Sequence, residues 1–505
     1  MPVTIMKRGI LYVALAASLL ALPLFLSTME ASGQDESGSD TRSGEGWVLA
    51  WGDDSRDQME SLAAGPDGSI YVAGEFVGLT DMDPGPEVCE AVAQGASDNF
   101  LCRLASTGDL IWNLSWDGDH ESPAAQSQDT SVAVDREGNI FITGTAGGRG
   151  DLNPGLPVCE YRNWGDNSAF LSKFNDRGTF LWGKTWGGRD PIRNCRLAVD
   201  PGGGISVCGD FSGSVSLDPG PGYTSAYAYH GGCFVSRFDP DGNFVWGDSL
   251  EGVQVNDIVA DDHGLYITGD FAGRVNFSQV YAADVRLSTG RTDAFLSRYD
   301  ADGNEEWTIT WGGEIDSDDT CKAVAVDSAG DVYVQGIGGP GIDLDPGTDV
   351  HTVETEGDTD KAFLLKLDSS HAFQWATTWA IWETDPFPVR MVLDNSENIW
   401  ITGILPKERA RYSSADFSRD PDTDRTQGLV MGFNPEGGII ASWPPDKSGD
   451  DYFLAKDIAV DGEGNIFLIG NFNGCRVFGP EVGYIGCGPL AIQSFLMKIP
   501  ASELK

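Results

Sequence analysis

Positive charge is scarce in this sequence. Lys and Arg number 33 against 77 Asp and Glu, a formal charge of −44. A surface that negative repels phosphate backbones and anionic membranes, so nucleic acid is excluded as an expected partner. Histidine is rarer still, with five residues at positions 120, 230, 263, 351 and 371 and no metal-ligand spacing among them. There is no C-x-x-C pair, no G-x-S-x-G, no H-E-x-x-H and no P-loop. Zinc, dithiol, serine-hydrolase and nucleotide chemistries therefore lack their motifs. Paired acids for glycoside chemistry can be drawn from any of the 77 carboxylates, so their mere presence carries no information.

Acidity alone can signal disorder, but 41% hydrophobic residues and 15 Trp call for a packed core. Near the start, Lys7 and Arg8 precede an apolar run from Gly9 to about Thr28. Residues 1–33 read as a signal peptide, with an uncleaved anchor as the alternative, and Pro23 favours the peptide. Residues 34–46 read as a disordered acidic Ser/Gly tether. The expected location is secreted, extracellular or in the cell envelope, and membrane contact is expected only through an uncleaved N-terminal segment. Nine Cys in an exported chain suggest disulfides. Cys475 and Cys487 share one loop, and Cys208 has either Cys195 or Cys233 as a partner. An odd count leaves at least one thiol free or paired outside the chain.

Self-similarity is the strongest signal. A strand of the type N-I-F-I-T-G recurs, ending on Gly74, Gly144, Gly209, Gly269, Gly336, Gly403 and Gly470. Each unit reads as four strands: a short one of small residues, the I-F-I-T-G strand, a third resembling A-F-L-S-K-F, and a fourth carrying Trp. Asp-Gly and Gly-Asn turns join them, where Gly tolerates the positive φ of a chain reversal. The strands are apolar on both sides, as sheets sandwiched between neighbours require. The last unit stops at Lys505 before its Trp strand, and an orphan strand, Trp47-Val-Leu-Ala-Trp51, appears at the other end. The expected fold is therefore all-β: a seven-bladed β-propeller of four-stranded antiparallel blades over 47–505, its last blade completed by the N-terminal strand. A monomer is expected.

A second recurrence is electrostatic. Asp135, Asp200, Asp261, Asp327 and Asp461 end first strands, and Lys173, Arg237, Arg298, Lys366 and Lys498 sit inside the third strands of the same units. A structural ion pair across each of these blades is expected, since charges inside sheets are seldom left unpaired. Unit one has Gly65 in place of the Asp, and unit six has Gly432 in place of the base.

The pattern resembles the bacterial exported seven-bladed β-propeller repeat (SBBP-type) family. The residues that carry the resemblance are G-N-I-F-I-T-G at 138–144, A-F-L-S-K-F at 169–174, L-W-G-K-T-W-G-G at 181–188 and D-L-D-P-G at 343–347. It extends over about 47–505 and implies the fold and export more than any activity.

Four elements, around Asp81 and Asp83, Asp151 and Asn153, Asp218, and Asp343 and Asp345, open long loops with D-x-D-P-G or a variant. Their oxygens suit Ca²⁺, the one cofactor the sequence suggests; the alternative is an Asx-Pro-Gly turn whose intervening Leu or Met packs inward. The long loops carry aromatic candidates for ligand contact: Tyr161 and Trp164 in one, Tyr223, Tyr227 and Tyr229 in another. The expected role is a binding or scaffold module for an extracellular protein or glycan through the long-loop face. The alternatives are a secreted polysaccharide lyase or hydrolase with an axial carboxylate site, and a passive acidic cation-binding envelope or matrix protein.

Overall fold

A computed structural model describes residues 41–43, 46–51, 57–93, 97–117, 130–155, 157–162, 168–220, 224–262, 264–278, 284–313, 317–352, 360–380, 389–403, 430–443, 453–473, 475–477, 484–486 and 492–504. The proposed leader, Trp164, Tyr223 and Cys487 lie outside them, as does the side chain of Cys475.

Seven antiparallel sheets, hereafter blades 1 to 7 in chain order, form a ring. Blade 1 comprises Gln58–Ala64, Ile70–Phe76, Asp98–Leu104 and Leu110–Asp117, hydrogen-bonded in that order from inside to outside. Blades 2 to 6 repeat this plan with inner strands Ser131–Val134, Ile192–Val199, Val253–Ala260, Thr320–Val326 and Met391–Leu393. Blade 7 is built from both ends of the sequence: Phe453–Val460, Ile466–Asn473 and Ile492–Ile499, then Gly46–Trp51 as its outer strand. Trp47 lies opposite Lys498 and Trp51 opposite Ser494. The inner strand of blade 7 packs on that of blade 1, which closes the circle. Thr41–Ser43, inside the expected tether, forms a fifth strand on Gly46–Trp51.

The inner strands are laced to one another one blade at a time. Three residues before the last residue of each first strand the sequence has Ser61, Ser131, Arg196, Asp257, Ala323, Arg390 and Asp457. Bulges just ahead of this position in five blades remove residues from regular pairing. Ser61 Oγ accepts from Val132 N of the next blade at 3.1 Å, Asp257 Oδ2 from Val324 N at 3.0 Å and Asp457 Oδ2 from Leu62 N at 2.8 Å. The last of these crosses the seam where the ring closes.

Trp latches hold the outer parts together. The indole N–H of Trp47, Trp112, Trp246 and Trp375 donates to a carbonyl in the outer hairpin turn of the following blade: Ser106, Asp176, Ala301 and Pro435, at 3.0–3.2 Å. The turn glycine lies flat against the ring. A Cβ on Gly303, at φ +85°, would fall 2.5 Å from Trp246. Blade 5 departs from this rule: its turn holds His371 at φ 67°, tilted against Trp307 at 4.1 Å between ring centroids.

In five blades the basic residue of the third strand lies between two aromatic partners. Arg103 pairs across the sheet with Tyr71 on one side and Trp112 on the other. The same arrangement recurs as Phe141–Lys173–Trp182, Tyr266–Arg298–Trp307, Tyr333–Lys366–Trp375 and Phe467–Lys498–Trp47. The cations sit 4.9–5.7 Å from the Tyr or Phe centroids, within range of the negative ring face.

Candidate functional site

The ion pairs expected across the blades divide. Arg237 bonds Asp200 in blade 3, where the residue opposite the base is Ser206 rather than an aromatic. Lys366 Nζ lies 3.6 Å from Asp327 and 2.9 Å from Asp331. Tyr333 and Asp331 hold the Lys366 ammonium in its charged form against the cost of burial. Elsewhere the base is held differently. Lys173 donates to the Pro240 carbonyl of the next blade at 3.0 Å, Arg298 pairs with Glu306 at 2.6 Å, and Lys498 rests over Phe467.

The strand-ending aspartates serve their own turns. Asp135 accepts from the backbone and side-chain nitrogens of Asn139 at 2.7 Å each, and Asp461 does the same with Asn465 at 2.9 and 2.8 Å. Asp261 accepts from Gly264 N at 2.8 Å. A carboxylate two to four residues ahead of a free N–H reaches it more readily than it reaches a cation two strands away.

The D-x-D-P-G elements brace loops in the same manner. Asp81 Oδ1 accepts from Asp83 N and Cys89 N; Asp151 Oδ1 accepts from Asn153 N and Cys159 N; Asp343 Oδ1 accepts from Asp345 N and His351 N. Asp83, Asn153, Asp218 and Asp345 each accept from the glycine two residues on. The intervening Met82, Leu152, Leu217 and Leu344 are buried. Leu152 and Leu217 fill the space left by Gly183 and Gly247 of the outer strands. Among the described residues, no group of three or more His, Cys, Asp or Glu stands together as a metal cage.

Two corrections concern cysteine. Cys208 and Cys233 are both free, buried thiols, so Cys208 is joined neither to Cys233 nor to Cys195. Register is the reason: Val235 lies opposite Cys208, while Cys233 lies opposite Asp210. On the other flank Arg196 lies opposite Cys208, with Cys195 displaced in the bulge. Cys89, Cys102, Cys159 and Cys321 also carry free thiols, and burial pushes their pKa values up.

The aromatic candidates separate by exposure. Tyr161 is buried against the core of blade 2, whereas Tyr227 and Tyr229 are 64% and 73% exposed. Both belong to a hairpin that, among the described residues, is peculiar to blade 3. Its second and third strands, Ile205–Ser216 and Ser225–Phe238, run on as one long ribbon, while the corresponding strands of blade 1 are separate from the short hairpin that follows them. Tyr229 N donates to Glu251 at 2.9 Å and its ring meets His230 edge-on at 4.6 Å. At the base of the ribbon, between blades 3 and 4, lies a cleft of about 320 Å³. Arg193, Asp210, His230, Gln254, Asp270 and Thr292 supply its polar lining. Asp270 is pushed up by burial and drawn back by Lys322 and by hydrogen bonds from Thr320 and Asn256. Asp210 accepts from Val255 N at 3.2 Å and from Asn194. The cleft thus offers both charge signs, with aromatic rings beside it.

The family described as "Beta-propeller repeat" (SBBP) matches residues 121–152. The regulatory protein FlaEY of Caulobacter vibrioides is 30% identical over 189 residues, 37% of this chain and 18% of that protein, so the chain spans under a fifth of that relative's length. Among solved structures, a chain of the mitotic checkpoint complex is 11% identical with a TM-score of 0.42, covering 96% of this chain and 100% of that one. A protein of unknown function from Dyadobacter fermentans is 10% identical with a TM-score of 0.37, covering 92% and 100%.

Proposed function

We propose that this seven-bladed β-propeller, matched by the Beta-propeller repeat (SBBP) family at residues 121–152, is an exported binding or scaffold module that docks an extracellular protein or glycan at the long-loop face of blade 3. The observation that carries this reading is the exposure of Tyr227 and Tyr229, 64% and 73%, beside the polar cleft between blades 3 and 4. Rigid aromatic side chains give large contact area at little entropic cost, and they stack on sugar faces or anchor protein partners. The ribbon that bears them is anchored in the blade, which limits the ordering cost of docking.

The axial carboxylates support catalysis less well. Asp257 and Asp457 already accept backbone N–H groups of the adjoining blades, which lowers their availability as bases. Export follows from the leader read at 1–33 and remains part of the same proposal.

The test is binding of the purified full chain to immobilised extracellular protein and polysaccharide fractions, measured beside Tyr227→Ala/Tyr229→Ala. A loss of tenfold or more with an unchanged melt supports the site. Equal binding by both proteins overturns it.

A further inference from the structure

An axial cavity of about 200 Å³ is lined by Ser61, Ser131, Arg196, Asp257, Arg390 and Asp457, the residues at the lacing position of six blades. Ser61, Asp257 and Asp457 there accept an N–H from the next blade. Arginine has no acceptor, so it breaks the lacing wherever it stands. The aspartate one blade further on makes good the loss. Asp457 takes Ile458 N of its own strand at 2.8 Å as well as Leu62 N. Asp257 likewise takes Ile258 N and Val324 N. Arg–Asp occurs this way twice, in blades 3 and 4 and again in blades 6 and 7.

The aspartates are therefore accounted for by the backbone, and the arginines are not. Arg390 Nε stands 3.9 Å from Asp457 Oδ1, too far for a hydrogen bond. One amino group of Arg390 donates to Val389 O and one of Arg196 to Cys195 O, both at 3.0 Å. Arg196 Nε is buried with no hydrogen-bond partner. A guanidinium carries five N–H donors, so most of the donor capacity facing the cavity is unspent. The two guanidinium groups also repel each other. Burial foremost, and then Arg196, pulls the Arg390 pKa down, with Asp457 and Asp257 opposing.

We infer that the axial cavity binds a small oxoanion, a carboxylate or phosphate group gripped between Arg196 and Arg390. A planar guanidinium fork matches two oxygens of such a group, and charge-assisted bonds are strongest where water is scarce. Two Arg and two Asp sum to zero, so the anion relieves the repulsion between the guanidinium groups without displacing either aspartate from its N–H donors. This site is separate from the long-loop face and does not depend on the partner proposed for it.

The test is calorimetric titration of the full chain with sodium malonate and, separately, sodium phosphate, each against sodium chloride at matched ionic strength. A saturable one-site heat is expected in at least one arm, and which arm responds identifies the source of the oxygens. Arg196→Gln and Arg390→Gln weaken it tenfold or more, and Arg390→Lys, which keeps charge but loses the fork, weakens it too. Crystals of the unaltered protein soaked in the responding anion provide a second reading that does not depend on variants folding. Density between Arg196 and Arg390 supports the site. No saturable heat in either arm, undiminished binding by folded Gln variants, or density only elsewhere overturns it.

Discussion

Trp47 stands directly opposite Lys498, and its indole donates to Ser106 of blade 1, so one residue ties the two ends of the sequence together and to the neighbouring blade. Trp47 is 3% exposed. Trp47→Ala removes a fully packed ring at the seam and is expected to cost about 3–5 kcal/mol. Denaturant unfolding followed by tryptophan fluorescence checks this. A change under about 1 kcal/mol would remove the seam from the account of stability.

Glycine at positive φ answers two demands, and substitution separates them: Gly273 follows the second strand of blade 4, whereas Gly303 sits in its outer hairpin turn. Gly273 has φ +71° with open space around it, while Gly303 has φ +85° with Trp246 in the way. Gly273→Ala meets only backbone strain, about 1–2 kcal/mol. Gly303→Ala meets that strain and an indole clash, about 1–3 kcal/mol more. Equal losses in paired melts would mean that Trp246 moves aside freely.

Asp248 has its pKa pushed up to about 6, by burial first and by Glu305 second, with Ser249 N opposing. The folded chain holds this proton more tightly than the unfolded chain does. Its favourable contribution is complete below the ordinary carboxylate value and is lost as pH rises through about 6. Asp248→Asn keeps an acceptor for Ser249 N and removes the charge. It is expected to raise the melting temperature above pH 6 and to leave it nearly unchanged at pH 4. A constant offset across that window would contradict the assignment.

The loop-bracing carboxylates are needed as acceptors more than as charges. Asp343→Asn retains an oxygen for Asp345 N and His351 N and is expected to change stability by less than about 0.5 kcal/mol. Asp343→Ala leaves both N–H groups without their acceptor and costs about 1–3 kcal/mol. Melts in EDTA and in calcium chloride check this: a large loss for the Asn variant only in calcium would make Asp343 a metal ligand.

The blade plan was legible because each blade repeats its letters, from the recurring Gly of the second strand to the paired Trp of the fourth. The closing strand was legible because Trp47-Val-Leu-Ala-Trp51 matches fourth strands found elsewhere. The cation between two rings was missed, although a signal for it exists. An aromatic occupies the second position of the second strand in the blades of Tyr71, Phe141, Tyr266, Tyr333 and Phe467. Ser206 replaces it where Arg237 bonds Asp200, and Trp400 replaces it where Gly432 replaces the base. The axial arginines were illegible for the opposite reason. Their position reads Ser, Ser, Arg, Asp, Ala, Arg, Asp around the ring, with nothing to align. Loop tyrosines give no hint of direction either: Tyr161 turns inward and Tyr227 outward, and only the neighbouring backbone decides.

The order of synthesis sets the order in which this ring can be finished. Gly46–Trp51 is translated before the strands of blades 1 to 6, yet its partner Ile492–Ile499 is among the last. Blades 1 to 6 can each fold from contiguous chain as they emerge. The first strand must wait, its edge and its two tryptophans uncommitted, until more than four hundred residues have followed. A chain interrupted anywhere before Ile492 would carry up to six blades and still have no closed wheel.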